Sequence, residues 1–225
     1  LFVILIFRSC DGGFDLLLFR PREPKVLKLP KRAEGKFDRA FAYLTKTRML
    51  DGDIVSKLMR DRLIYQDDRN NVVFVGRDEN GKERFACVRG TSTYGSAFRG
   101  DCEGSDKTYA FRLDGELKTR IYVFEAPIDL LSHATLANMV KNDKRAWLKH
   151  SRLCLSGKSD IALEHYLQTH GDVKEIVLCL DDDKTAEQNW GQLRATELAK
   201  KYTIDESGFV NGILGSLVRA KEAEK

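Results

Sequence analysis

The sequence predicts an α/β protein: a Rossmann-like parallel sheet with helices on both faces, preceded by a smaller α+β lobe. Three observations predict it. Two apolar runs, Ile121-Tyr122-Val123-Phe124 and Ile176-Val177-Leu178-Cys179-Leu180, read as buried strands, because β-branched and aromatic residues fill them without a polar break. From Ile121 to Tyr202, strand patterns (121–125, 152–156, 175–181) alternate with helix patterns (128–137, 159–169, 185–200), which implies right-handed parallel βαβ units. Upstream, Asn71–Gly76 and Glu83–Val88 flank Asp78-Glu79-Asn80-Gly81, whose Asn-Gly pair signals a hairpin.

Taken in order, residues 1–36 open on the apolar run Leu1–Phe7, too short to span a bilayer and without the basic leader or cleavage site of a signal peptide. Pro21, Pro24 and Pro30, interleaved with Lys25, Lys28 and Lys31, punctuate an extended linker, so a truncated remnant or a flexible arm is expected here. Residues 37–113 form the first lobe. Phe37, Ala40, Phe41 and Leu44 share one helical face, and Ile54, Val55, Leu58 and Met59 mark a second short helix capped by Asp51 or Asp53. The hairpin follows, then a Gly/Ser loop carrying Arg89, Arg99 and Lys107. Residues 114–204 form the α/β domain. Its last helix starts at the capping box Thr185-Ala186-Glu187-Gln188 and is expected to bury Ala186, Trp190 and Leu193. Residues 205–225 are a tail.

Composition bounds the function classes. The 225 residues are 42% hydrophobic and 32% charged, as in a globular protein of one or two domains, and a net charge of +4 permits nucleic-acid binding without arguing for it. Five scattered cysteines with no C-x-x-C spacing exclude a zinc ribbon and suit a reducing cytoplasm. No G-x-G-x-x-G follows any strand, which disfavours a dinucleotide-binding enzyme.

The chemistry lies in the carboxylates. Glu125 ends the first apolar strand, and Asp181, Asp182 and Asp183 end the third. Parallel strands share a carboxyl edge, where ligand sites of such sheets form. Carboxylates gathered there raise each other's pKa, and a divalent cation removes the conflict; hard oxygen donors favour Mg²⁺ or Mn²⁺. Asp129, four residues after Glu125, is a further metal candidate or, equally, a partner of its own helix dipole.

A strand ending in Glu and a later strand ending in Asp-x-Asp, with a βαβ unit between, resemble the TOPRIM domain of bacterial primases, topoisomerases and some nucleases. VFEAPIDLLS and LCLDDD are closer still to small TOPRIM proteins of bacterial mobile elements, which carry an uncharacterised domain upstream and resemble the catalytic core of the bacterial DNA primase. The resemblance implies that Glu125, Asp181 and Asp183 are catalytic, and that Mg²⁺ or Mn²⁺ is held by these with Asp129. It implies that Arg89, Lys107 and Lys158 (in the turn Ser156-Gly157-Lys158-Ser159) face nucleic acid; surface cations beside a flexible loop are the alternative for Arg89 and Lys107. The implied activity is primase-like nucleotidyl transfer on single-stranded DNA or RNA with nucleotides, in the cytoplasm, away from membranes and alongside replication or mobilisation proteins. A TOPRIM nuclease and a non-catalytic nucleic-acid-binding factor remain the alternatives. The chain departs from the pattern after Asp183, where Lys184-Thr185-Ala186 replaces a small residue and glycine, and beyond residue 203 only Asp205 and Glu206 stand where primases place further acids.

Overall fold

Two β-sheets built on different rules carry the molecule. A computed structural model describes residues 26–35, 37–92, 98–157, 159–181, 189–202 and 211–212. The first sheet is antiparallel, ordered β1 (Ile64–Gln66), β2 (Val72–Arg77), β3 (Glu83–Arg89), β4 (Arg99–Asp101). The expected hairpin is β2–β3. Gly81, at φ +77°, takes the left-handed turn conformation, and the register shifts between Gly76 and Arg77. Two short helices pack beside this sheet. α1 (Asp38–Ala42) passes into a π-helical turn over Tyr43–Thr47, where the Arg48 amide donates to the Tyr43 carbonyl at 3.0 Å. In α2 (Gly52–Arg60), Asp51 is the cap, accepting from the amides of Asp53 and Ile54.

The first sheet's other face is apolar (Tyr65, Val73, Val75, Ala86, Val88), and Leu27 and Leu29 cover it. The described part of the expected arm, from Val26 on, is therefore packed, because that face needs a lid. The Lys28 amide donates to the Glu103 carbonyl at 2.9 Å, and Arg32 bridges to Asp67.

The second sheet is ordered β5 (Arg112–Leu113), β7 (His150–Cys154), β6 (Leu117–Phe124), β8 (Glu175–Cys179), β9 (Asn211–Gly212). β6 is parallel to both β7 and β8, and β8 to β9; only the edge strand β5 runs antiparallel. α3 (Pro127–Lys141) lies on one face, against Phe124 and Cys154. α4 (Ile161–Thr169) and α5 (Trp190–Tyr202) lie on the other, against Ile121, Val123, Leu153 and Ile176. This is the arrangement that alternating strands and helices require. No helix among the described residues is long and apolar enough to cross a membrane.

One expectation fails in α5. Trp190 and Leu193 are 55% and 50% exposed, and the buried stripe is Gly191, Ala195 and Leu198; Ala186 and the capping box lie outside the described residues. The reason is close approach: a Cβ on Gly191 would stand 1.8 Å from the Asp181 carbonyl oxygen, so the helix presents its small residues to the sheet and turns its large ones out.

The two lobes share one core. A single cluster runs from Ala40, Leu44 and Phe74 through Phe111 to Leu130, Trp147 and Cys154. A polar relay crosses the same boundary. The Asp51 amide donates to Thr135 Oγ1 at 3.0 Å, Asn138 Nδ2 donates to Asp51 Oδ2 at 3.0 Å, and Asn138 Oδ1 accepts from the Trp147 amide. Three different groups are satisfied at once, which fixes the orientation of one lobe on the other more sharply than apolar contact alone.

Candidate functional site

β6 anchors the site. Phe124 pairs with Cys154 on one side and Cys179 on the other, so the residues that follow all three strands emerge at one edge of the sheet. Glu125 follows β6, Ser156 and Gly157 follow β7, and Asp181 follows β8. The edge is drawn tight: the Asp181 amide donates to Glu125 Oε1 at 3.2 Å, and the Leu155 amide to the Phe124 carbonyl at 2.8 Å. Asp129 stands in the first turn of α3, directly after Pro127 opens that helix. Ser156 and Gly157 have φ of +53° and +115°, which turns the chain sharply between β7 and α4.

These groups line one side of a cleft of about 490 Å³, and the other side comes from the first lobe: Arg48, Arg89 and Arg99, with Phe74, Cys87 and Asp101. Arg89 and Arg99 are opposite one another across β3 and β4. Tyr43, buried in the π-helical turn, holds two of the three guanidinium groups, since its Oη accepts from Arg48 Nε at 2.8 Å and from Arg89 Nε at 3.3 Å. Lys107 spans the rim. Its Nζ donates to the Ser156 carbonyl at 2.9 Å and pairs with Asp101 at 3.1 Å, tying the first sheet to the turn after β7.

The acids are electrostatically coupled. Burial, and after it the charge of Asp181, push the Asp129 carboxyl above its ordinary value, against the opposing pull of its backbone hydrogen bond at Ala126 and of Arg48 and Arg89. Asp129 and Asp181 thus repel each other at an edge whose donors are hard oxygens, a combination that suits a divalent cation. Among the described residues no three acids, histidines or cysteines stand close enough to enclose a metal ion. Mg²⁺ does not require that, since it binds through one or two carboxylates together with water and substrate phosphates. Cys154, nearby, is pushed up to about 12 by burial, so its thiol stays protonated.

Of the residues expected from sequence, the structure brings Glu125, Asp129, Asp181 and Arg89 to one cleft and Lys107 to its rim. Asp183 and Lys158 lie outside the described residues, as do Asp205 and Glu206. Sequence reasoning missed Arg48, Arg99 and Tyr43. Arg99 had a signal, an arginine beside glycine in a cation-bearing loop. Arg48 and Tyr43 had none, because a π-helical turn sets their spacing.

Residues 42–116 match a family model described as "Protein of unknown function (DUF3991)". The chain is 30% identical over 161 residues to "Uncharacterized protein pXO2-78" of Bacillus anthracis, across 67% of this chain and 45% of that protein, so it spans less than half the length of that curated relative. Among solved structures it is similar to a DnaG catalytic core (TM-score 0.51, 14% identity, 78% of this chain and 64% of that one). It is also similar to a DnaG primase catalytic domain bound to ssDNA (TM-score 0.50, 10% identity, 80% and 67%). At these identities the likeness is one of fold, and the fold is that of primase catalytic cores.

Proposed function

We propose that the cleft is a metal-assisted phosphoryl-transfer site that acts on nucleic acid, most simply as a primase-like nucleotidyl transferase on a single-stranded template. The observation that carries this reading is the opposition of two walls: Glu125, Asp129 and Asp181 on the α/β side, Arg48, Arg89 and Arg99 on the other. A cleft of one sign would serve binding alone. Opposed signs suit a phosphate that must be gripped by cations on one side and presented to a metal-binding edge on the other.

In this reading Glu125 and Asp181 hold the cation, with Asp183 as the further ligand the resemblance supplies. When bound, Mg²⁺ or Mn²⁺ lowers the pKa of the attacking hydroxyl and offsets charge on the phosphates. Arg48 and Arg89 orient phosphate oxygens, and Tyr43 keeps both guanidinium groups from swinging into solvent. Lys107, already engaged by Asp101 and the Ser156 carbonyl, holds the rim together more than it grips the polymer.

A second reading, a nucleic-acid-binding factor without catalysis, is favoured by one contact: Glu125 Oε1 accepts the Asp181 amide and so has a structural task of its own. Glu125→Gln separates the two, since the amide oxygen of glutamine still accepts that hydrogen bond. Purified protein on a single-stranded template with nucleotides and Mg²⁺ or Mn²⁺, scored for extension and for cleavage, is the test. Metal-dependent product from the wild type and none from Glu125→Gln supports the enzyme. Template binding by both, with no product from either, leaves the binding factor. Cleavage without extension assigns a nuclease.

A further inference from the structure

A second cleft, of about 980 Å³, lies beside α3 near the start of β6 and β7, away from the carboxyl edge. Arg152 of β7 is 2% exposed there, and no carboxylate pairs with it among the described residues. Its Nε donates to His133 Nδ1 at 3.0 Å, and its Nη1 donates to the carbonyls of Trp147 and His150. These contacts place the guanidinium but bring it no negative charge. A buried cation left without an anion is costly, and proteins ordinarily give such a group a partner.

The rest of the lining repeats the sign. Arg120, Lys141, Arg145, Lys149 and Arg152 face two carboxylates, Glu116 and Asp143. Arg145 is matched by Glu116 and Arg120 by Glu175, while Lys141 and Lys149 are exposed and make no ion pair among the described residues. His150, also in the lining, has a buried Nδ1 with no partner. Three unmatched cations thus stand around one concavity: Lys141 at the end of α3, Lys149 just before β7, and Arg152 beneath them.

We propose that this cleft binds an oligophosphate anion, either the phosphate chain of a free nucleotide or an inorganic polyphosphate. One small anion would meet Arg152 and leave the lysines unmatched, whereas a chain of phosphates carries several charges and suits the volume. Charge-assisted hydrogen bonds to Arg152 and to the lysines supply the attraction.

The test is titration of the whole chain with sodium tripolyphosphate, read by isothermal titration calorimetry, which needs no reporter side chain in the cleft. Saturable binding is expected, about tenfold weaker in the Lys141→Ala, Lys149→Ala double variant. Arg152→Gln should abolish it; should that variant fail to fold, the double variant carries the test, since both lysines are exposed. Glu125→Gln, at the other cleft, should bind tripolyphosphate as the wild type does. Equal affinity for a nucleoside triphosphate assigns recognition to the phosphate chain, and tighter nucleotide binding that is still lost in the double variant adds a base contact in the same cleft. No saturable binding, binding that is lost with Arg48 and Arg89 and kept in the double variant, or binding of oligonucleotides alone would overturn the proposal.

Discussion

The two walls of the candidate cleft reach their positions by different physics. Glu125 and Asp181 are placed by topology: parallel strands in register must release their next residues at a common edge. Arg48, Arg89 and Arg99 are placed by docking. They belong to an antiparallel sheet and a π-helical turn, and they face the acids only because a shared core and the Asp51–Thr135–Asn138 relay hold one lobe against the other. The acidic wall should therefore tolerate changes that keep the strands, while the cationic wall should respond to changes at the seam.

The comparison breaks most visibly at the acids. Glu125→Gln and Asp181→Asn should lower metal-dependent activity by a factor on the order of 10²–10⁴, as removal of an acid–base or charge-stabilising group does. Neither should lower the melting temperature: Asp181→Asn removes a like charge from beside Asp129, and the amide oxygen of Glu125→Gln still accepts from the Asp181 amide. A melt shifted downward by several degrees in both variants would mean that the acids hold the strand ends together and do nothing else.

The α/β domain also carries a histidine term in its pH dependence that the first sheet, which has no histidine, lacks. His133 is pushed down to about 4, by burial first and then by Arg152. Its folded value lies below the unfolded one, so between roughly pH 6.5 and 4 the unfolded chain binds more protons. The contribution is complete above about pH 6.5 and is lost as pH falls through 4, amounting to at most about 3 kcal/mol. Urea melts at pH 7 and pH 5 should show the loss. His133→Gln, whose carbonyl still accepts from Arg152, should flatten it, and an unchanged slope in that variant would assign the loss to other groups.

Tyr43→Phe sharpens the cationic side. The ring stays and the hydroxyl that accepts from Arg48 and Arg89 goes. Single-strand binding should weaken by about 1 kcal/mol, the net worth of such hydrogen bonds, with little change in stability. Affinity equal to the wild type's would show that the two arginines need no holding.

The smallest effect separates Arg89 from Lys107. Arg89→Ala should reduce the log–log salt slope of single-strand binding by about 0.7, one phosphate's share. Lys107→Ala should change it by less, because Asp101 already partners that ammonium. Equal slopes for the two variants would return Lys107 to the phosphate-binding set.

The outcome for each element follows from the reach of its cause. The β2–β3 hairpin, the three parallel strands and the edge that gathers Glu125 and Asp181 were legible in the sequence, because hydrophobic periodicity, an Asn-Gly turn and strand parallelism act over a few residues or follow from chain order. The buried face of α5 was not, since it depends on how closely Gly191 approaches the Asp181 carbonyl, a contact no periodicity records. Nor was the cationic wall. Arg48 and Tyr43 come together through a π-helical turn, and Arg99 reaches them only after β4 joins β3. The unmatched charge of Arg152 was equally hidden: along the chain it is one more arginine in a strand, and only folding removes it from water with no carboxylate paired to it among the described residues. Local sequence determined which groups end the strands; the packing of one lobe on the other decided what they face, because opposing surfaces are set by contacts between residues far apart in the chain.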